Sequence, residues 1–420
     1  MFKDFSWSAM TAGFVVVLIG FTSSAAIVFQ AAAAAGATPA QISSWIFALG
    51  LGLGLTCIGL SLYYRIPVVT AWSTPGAALL ITGLNGVTMP QAIGVFMFSA
   101  ALVTICGVTG LFARVMNRIP LSIVAAMLAG ILVHFGMDVF VAMQLQLGLV
   151  LLMFVAYLLV KRLLPRYVII IVLAVGTAFA AWQGLLKLDH FQIALARPEL
   201  IMPQFSLASL LGVGIPLFVV TMASQNAPGV AIMRASGYRT PISPLITSTG
   251  LVTFVLAPFG CFSICLAAIT AAICMGKDIH EDPAKRYMAS VAAGVFYLLA
   301  GLFGATVVSL FAAFPKVLVM AIAGLALFGT IANGLTVAMS EEQHREAALI
   351  TFLVTASGMS LFGVGAAFWG LLAGALTMLV FKPWHTLSRS QSVAISHESV
   401  VPASRELTAT STSSSHSVSR

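Results

Sequence analysis

The sequence predicts an all-α polytopic membrane protein of about fourteen transmembrane segments, built as two inverted copies of seven, with segments 3 and 10 broken. Three observations predict it. The 420-residue chain is 60% hydrophobic and 8% charged, with mean hydropathy +1.06, whereas a soluble domain carries roughly 25% charged residues. Apolar runs of roughly 20 residues, the length that spans a bilayer, follow one another along most of the chain. Short segments of the first half recur, in order, about 200 residues later, as transporter repeats do.

In order, the crossings read 11–35, 42–62, 67–83, 90–112, 120–137, 141–160, 166–185, 207–226, 241–258, 259–275, 286–309, 315–333, 347–364 and 366–381. They divide the chain into a cytoplasmic N-terminus (1–10), a first repeat (11–185), an extracytoplasmic linker (186–206), a second repeat (207–381) and a tail (382–420). The start shows no cleavable signal, because its apolar run continues too far and no processing site follows. The tail is rich in Ser and Thr and reads as disordered and cytoplasmic.

The third crossing has the wrong grammar for a membrane helix. Val68–Trp72 is a β-like run, Ser73-Thr74 is polar, and Pro75-Gly76 opens a short apolar helix to about Thr82. Ser73 or Thr74 can cap, and Pro75 suits a first helical position. Broken backbone at membrane depth needs protein or a water-filled cavity around it. A half-helix that starts there is a natural anion or substrate site.

The repeat supplies a partner. Ala92–Phe96 resembles Ala292–Phe296, and Pro120 with Ala126–Leu132 resembles Pro315 with Ala321–Leu327. Thr22-Ser23-Ser24 leading to Gly36 resembles Ala223-Ser224-Gln225 leading to Gly237. Seven crossings between copies invert the second one. The tenth crossing then matches the third: Ala257–Ile264 is extended and marked by Pro258 and Gly260, and Ala267–Cys274 is a short helix.

Charge sets the orientation. Lys3, Arg65, Arg114, Arg118, Lys161, Arg162, Arg166, Arg234, Arg239, Lys277, Lys285, Arg286, Arg345, Lys382, Arg389, Arg405 and Arg420 fall on the side of the N-terminus. Only Lys187, Arg197 and Lys316 fall opposite. The positive-inside rule puts both termini in the cytoplasm. The net charge of +8 is thus dispersed over loops and forms no nucleic-acid patch.

Few polar residues are available to carry transport. Thr22, Ser23, Ser24 and Gln30 lie in the first crossing; Ser224, Gln225 and Asn226 end the eighth. Hydroxyls in membrane helices bond their own backbone or a ligand. Trp72, Phe259 and Phe262 either pack or stack on an aromatic substrate. No acid falls in the middle of a crossing, although proton-coupled carriers often use intramembrane carboxylates. His134 and Asp138 stand i, i+4 at the end of the fifth crossing, either as a structural pair near the outer interface or as proton-coupling residues. The alternative is a substrate that brings its own proton, as a weak carboxylic acid does.

Other classes lack their chemistry. The five cysteines (Cys57, Cys106, Cys261, Cys265, Cys274) lie in apolar runs without metal-ligand company, so no metal or cofactor is expected. There is no P-loop, no nucleophile elbow and no acidic cluster for a magnesium-pyrophosphate group, which argues against an enzyme.

Gly20–Ala26, Thr70–Leu80, Thr221–Gly229, Ala267–Cys274 and Thr355–Gly358 resemble the benzoate membrane transport (BenE-type) proteins of bacteria, and the resemblance runs from about residue 5 to 381. It implies benzoate–proton symport across the bacterial inner membrane in support of aromatic-acid catabolism. It also implies the core and gate domains, often in a homodimer, of nucleobase, sulfate and bicarbonate carriers. In that architecture the first, third, eighth and tenth segments line the site. By position these give Ser23, Ser24, Trp72, Ser73, Thr74, Gly76, Gln225, Asn226, Cys261, Phe262, Ser263 and Ile264. Nucleobase permeases of this kind place glutamates on segments eight and ten. This chain has Gln225 and no acid there, which favours a carboxylate ligand. An anion channel, or a carrier of another small organic anion or a nucleobase, is the alternative.

Overall fold

The computed structural model describes residues 6–111, 120–187, 191–238, 241–277, 279–362 and 364–381. Residues 1–5 and the tail 382–420, both expected in the cytoplasm, lie outside the described residues, as do Arg114, Arg118 and Arg239. One compact unit runs from Met1 to Met378 and holds the fold discussed below; a second begins at Leu379.

The protein is a mostly helical, polytopic membrane protein. The first half of the chain contains α1 (Trp7–Ala34), α2 (Pro39–Tyr64), β1 (Thr70–Trp72), α3 (Thr74–Gly83), α4 (Met89–Val108), α5 (Leu121–Leu145), α6 (Leu147–Leu163) and α7 (Val168–Trp182). The second contains α8 (Leu207–Ala235), α9 (Ile242–Leu256), β2 (Ile264–Leu266), α10 (Ile269–Met275), α11 (Tyr287–Leu302), α12 (Gly304–Ala313), α13 (Lys316–Ala338), α14 (Arg345–Ala356) and α15 (Ala366–Val380). Among the described residues, seven helices are long and apolar enough to cross a membrane, and the pair α11–α12, bent by 69°, makes an eighth. α7 and α15 are shorter apolar helices.

Local chemistry sets the ends. Thr38 and Gln41 form a reciprocal capping box on α2, with Pro39 in the first turn, so two orphan N-terminal donors are satisfied. Arg65 ends α2 in the left-handed region at φ 57.

Three boundaries differ from expectation. The fifth crossing runs to Leu145 instead of 137, because no breaker stands between Pro120 and Gln146; Asp138 therefore lies within a helix. The eighth crossing continues past 226 to Ala235. Two π-turns, Leu210–Gly214 and Met222–Asn226, interrupt it. The second ends just before Pro228, and such a wider turn is a usual accompaniment of a proline inside a helix. The eleventh crossing breaks at Phe303, between α11 and α12.

β1 and β2 pair antiparallel, with Thr70 opposite Leu266, Ala71 opposite Cys265 and Trp72 opposite Ile264. A two-stranded ribbon leaves two open edges, which hydrocarbon does not tolerate. Side chains close them. Thr70 N–H donates to Cys57 Sγ (3.2 Å), Ile264 N–H to Thr253 Oγ1 (3.0 Å) and Leu266 N–H to Asn226 Oδ1 (2.8 Å).

Small residues let the helices around the ribbon approach. α2 packs on α11 and α4 on α9. A Cβ on Gly50 of α2 would lie 2.5 Å from Gly301 Cα of α11. On the other pair, a Cβ on Gly107 of α4 would lie 2.5 Å from Thr247 Oγ1 of α9. Close backbone approach through small residues is the usual basis of packing where both solvent and core are apolar. α5 packs against α13 and α14 outside this group.

Candidate substrate cavity

A cavity of about 1010 Å³ lies between two sets of elements. On one side stand α1 (Gly20, Thr22, Ser23, Ser24), the β1–α3 junction (Ala71, Trp72, Thr74, Pro75), α8 (Ser224, Gln225) and the β2–α10 junction (Ala267, Ala268, Thr270). Opposite them stand α5 (Leu121, Val124, Leu128), α7 (Val168, Ile169) and α13 (Leu327, Thr330, Asn333). Gly276 and Ile279 close the space beyond α10. Among the described residues, none that lines it is Asp, Glu, Lys, Arg or His.

The first wall is polar and aromatic. Trp72 donates from Nε1 to Ser24 Oγ (2.8 Å), and Ser24 Oγ donates to the Gly20 carbonyl (2.8 Å). Phe21 meets Trp72 edge-on at 4.9 Å, and Tyr297 of α11 lies 6.5 Å from Trp72. Thr22, Ser23 and Ser224 donate to carbonyls of their own helices. The side chains of Thr74, Gln225 and Thr270 make no hydrogen bond to another described residue and keep their capacity for a ligand.

The expected site residues divide. Ser23, Ser24, Trp72, Thr74 and Gln225 line the cavity. Ser73 is buried behind it and caps α3 by accepting from Gly76 N–H (3.1 Å). Gly76 has no room for a side chain: its Cβ would lie 2.8 Å from both Leu217 Cδ1 and Ser73 Oγ. Asn226 is buried, accepts from Leu266 N–H and donates to Met222 Sδ (3.1 Å). Cys261, Phe262, Ser263 and Ile264 also stand away from the cavity. Phe262 packs against Trp45 and Phe96, and Ser263 Oγ lies 3.1 Å from Thr221 Oγ1. His134 and Asp138 are remote from this wall; His134 Nε2 lies 2.6 Å from the carbonyl of Ala356.

Several lining residues escaped the sequence reading. Thr270 follows Thr74 at nearly the spacing of the repeat, a signal that was present. Ser224 stands next to Gln225, but a serine in a membrane helix commonly bonds its own backbone, which hides a lining role. Tyr297, Thr330 and Asn333 had none, because a single aromatic or polar residue within an apolar helix does not reveal which way it faces.

The floor near α10 is fixed by a buried cation. Arg286 donates from Nη1 to the Met275 carbonyl (2.9 Å), from Nε to the His280 carbonyl (2.7 Å) and from Nη2 to the Glu281 carbonyl (3.2 Å). A guanidinium on the last carbonyls of α10 also offsets the negative end of the helix. Tyr238 Oη donates to the Pro283 carbonyl (3.1 Å). Burial raises the pKa of this hydroxyl, against a smaller lowering by Arg286, so it remains a donor at neutral pH.

A helical membrane bundle with a large cavity whose described lining is uncharged, reached by interrupted segments from both halves, defines a membrane transport protein. The chain belongs to the BenE family of benzoate membrane transport proteins, which it matches over residues 3–380. It is 51% identical to the inner membrane protein YdcO of Escherichia coli (strain K12), over 89% of this chain and 95% of the relative. It is 42% identical to the benzoate membrane transport protein of Acinetobacter baylyi, over 91% of this chain and 97% of the relative. Two solved structures share the fold at low identity. The transmembrane domain of the cyanobacterial bicarbonate transporter BicA aligns with TM-score 0.57 at 14% identity, over 88% of this chain and 97% of that one. SLC26A9 aligns with TM-score 0.60 at 15% identity; the match covers 91% of this chain but only 66% of that longer one.

Proposed function

We propose that this protein is a secondary carrier that imports benzoate or a related aromatic carboxylate, together with a proton, across the bacterial inner membrane. One observation carries the reading: a cavity whose described lining is uncharged presents Trp72 and Tyr297 beside Thr74, Gln225 and Thr270, whose polar groups bond no other described residue. An aromatic ring suits the first pair. A carboxylate suits the hydroxyl and amide donors and the N-terminal end of α3, whose partial positive charge favours an anion by about 0.3–2 kcal/mol. Ser23 and Ser24 shape this wall, and Ser24 orients Trp72. Ser73, Gly76, Asn226 and the stretch Cys261–Ile264 act behind it by holding the two interrupted segments together. The relative from Acinetobacter is named for benzoate transport, in keeping with this assignment.

The architecture that goes with it has fourteen segments, seven plus seven inverted, over residues 11–185 and 207–381, with both ends cytoplasmic. Reciprocal packing supports it. α2 on α11 mirrors α9 on α4, α1 on α3 mirrors α8 on α10, and α14 on α5 mirrors α6 on α13. In this topology the cavity reaches the cytoplasmic ends of α5, α7 and α13, so the conformation is inward-facing. The described part of its wall carries no carboxylate or imidazole, and in this reading the proton crosses on the substrate's own carboxyl group.

Uptake of labelled benzoate into proteoliposomes under an inward proton gradient tests the reading. Saturable uptake with counterflow supports a carrier. Uptake no greater than in empty vesicles overturns the substrate assignment, and conductance without counterflow replaces the carrier with a channel.

A further inference from the structure

We propose that His134, Asp138 and Lys316 line the extracellular vestibule when the carrier opens outward, where they form a titratable surface that meets external protons and the incoming anion. The inference rests on the inverted-repeat reading above and goes beyond it.

α5 and α13 begin after Pro120 and Pro315, which sets an offset of 195 residues between them. Their packing tests that offset. Gly324 of α13 lies against Val139 of α5, and Gly334 of α13 lies against Ala129 of α5. Under the offset, Gly324 corresponds to Ala129 and Val139 to Gly334. Each contact therefore maps onto the other, as a two-fold relation between the helices requires.

The present cavity is lined on α13 by Gly329, Thr330 and Asn333 and on α5 by Leu121 and Val124. Their counterparts are His134, Phe135, Asp138, Lys316 and Val319. These surround the side that is closed in this structure. Phe135 and Val139 are buried, His134 and Asp138 are half-buried, and Lys316 is exposed. Rocking the two helix sets about the site uncovers in turn the two symmetry-related walls. The walls differ in chemistry. Where the inner one has Gly329, Asn333 and Leu121, the outer one has an imidazole, a carboxylate and an ammonium group.

Among the described residues, few other charges face this pair. His134 and Asp138 are near enough for their charges to interact. On α13 the nearest charged residue is Lys316. On α14, His134 meets the last residue, Ala356, while Arg345 and Glu346 lie at the opposite end. On α6, Tyr157, Lys161 and Arg162 are likewise at the far end. α3 has no titratable side chain, and α8 has only Arg234, in its last turn. Lys316 attracts an approaching carboxylate. Ionised Asp138 repels it and protonated Asp138 does not, so external acid favours entry beyond its effect on the gradient.

Introduced thiols test the geometry, since the five native cysteines are buried. The full chain carrying Asp138→Cys and Asn333→Cys, singly and together, is treated with a bulky membrane-impermeant thiol reagent in vesicles of each orientation. Asp138→Cys is expected to react from the periplasmic side and Asn333→Cys from the cytoplasmic side. In the double variant, modification of one is expected to slow the other several-fold. Reaction at one site independent of the other would falsify the proposal, and Lys316→Cys with Asn333→Cys repeats the test if the first pair fails to fold. This labelling needs no substrate, so its outcome stands apart from the benzoate assignment. Uptake at fixed gradient supplies a second readout. Asp138→Asn should flatten its dependence on external pH, and Lys316→Gln should raise KM with kcat retained; an unchanged profile and KM overturn the titratable role.

Discussion

Ser24 and Asn226 show how two polar residues at membrane depth serve different ends. Ser24 holds the Trp72 ring at the cavity edge by accepting one hydrogen bond and donates another to the Gly20 carbonyl. Such a bond contributes about 0.5–1.5 kcal/mol net. Ser24→Ala is therefore expected to raise the KM for benzoate uptake a few-fold while the fold survives, as thermal melting in detergent would report. Gln225 and Asn226 are adjacent yet face different surroundings. Gln225→Ala should abolish or strongly weaken substrate binding at unchanged stability. Asn226→Ala strands the buried Leu266 N–H, at a cost of about 1–3 kcal/mol, and should lower the melting temperature. Equal effects of the two changes on binding and melting would contradict this division. Thr270→Val removes a lining hydroxyl at constant shape and should weaken binding without altering stability.

Among the elements, the two-stranded ribbon is the least self-sufficient. Its three paired positions on each strand rely on Cys57, Thr253 and Asn226 from three different helices for their outer donors. The helices that supply these residues depend in turn on close approach. Gly301→Leu would drive a side chain into the Gly50 backbone of α2. It is expected to reduce folded, membrane-inserted protein sharply, measured as monodisperse yield after mild solubilisation; normal yield would contradict the packing argument. Arg286→Met leaves three carbonyls around α10 without their donor and should loosen the cavity floor, seen as faster hydrogen exchange over 275–286.

For the molecule as a whole, the proposed topology makes a prediction of parity. An even number of crossings would place the C-terminus beside the N-terminus. A fluorescent-protein fusion after Arg420 should therefore fluoresce, and an alkaline phosphatase fusion within 191–200 should be active, since each reporter works on one side of the membrane only. The opposite pattern would overturn the positive-inside assignment. The proposed inverted repeat would account for a cavity that reaches one end of α5 and the opposite end of α13, since inverted helices present those ends on one side of the bilayer.

The sequence by itself determined the membrane class and the scarcity of charge within crossings; it predicts 257–264 to be extended, whereas Ala257–Phe259 is a 3-10 turn and the strand begins at Ile264. The first two follow from local chemistry: apolar run length and the cost of charge in hydrocarbon. Tertiary structure decided which polar residues look into the cavity. A π-turn directs Gln225 to the space and Asn226 to β2, and one residue of rotation is invisible to hydropathy. It also decided that Tyr297 of α11 reaches Trp72 and that the stretch Cys261–Ile264 packs behind the site. Both depend on close helix approach through glycines far apart in the chain, a property of pairs of helices that no single segment records.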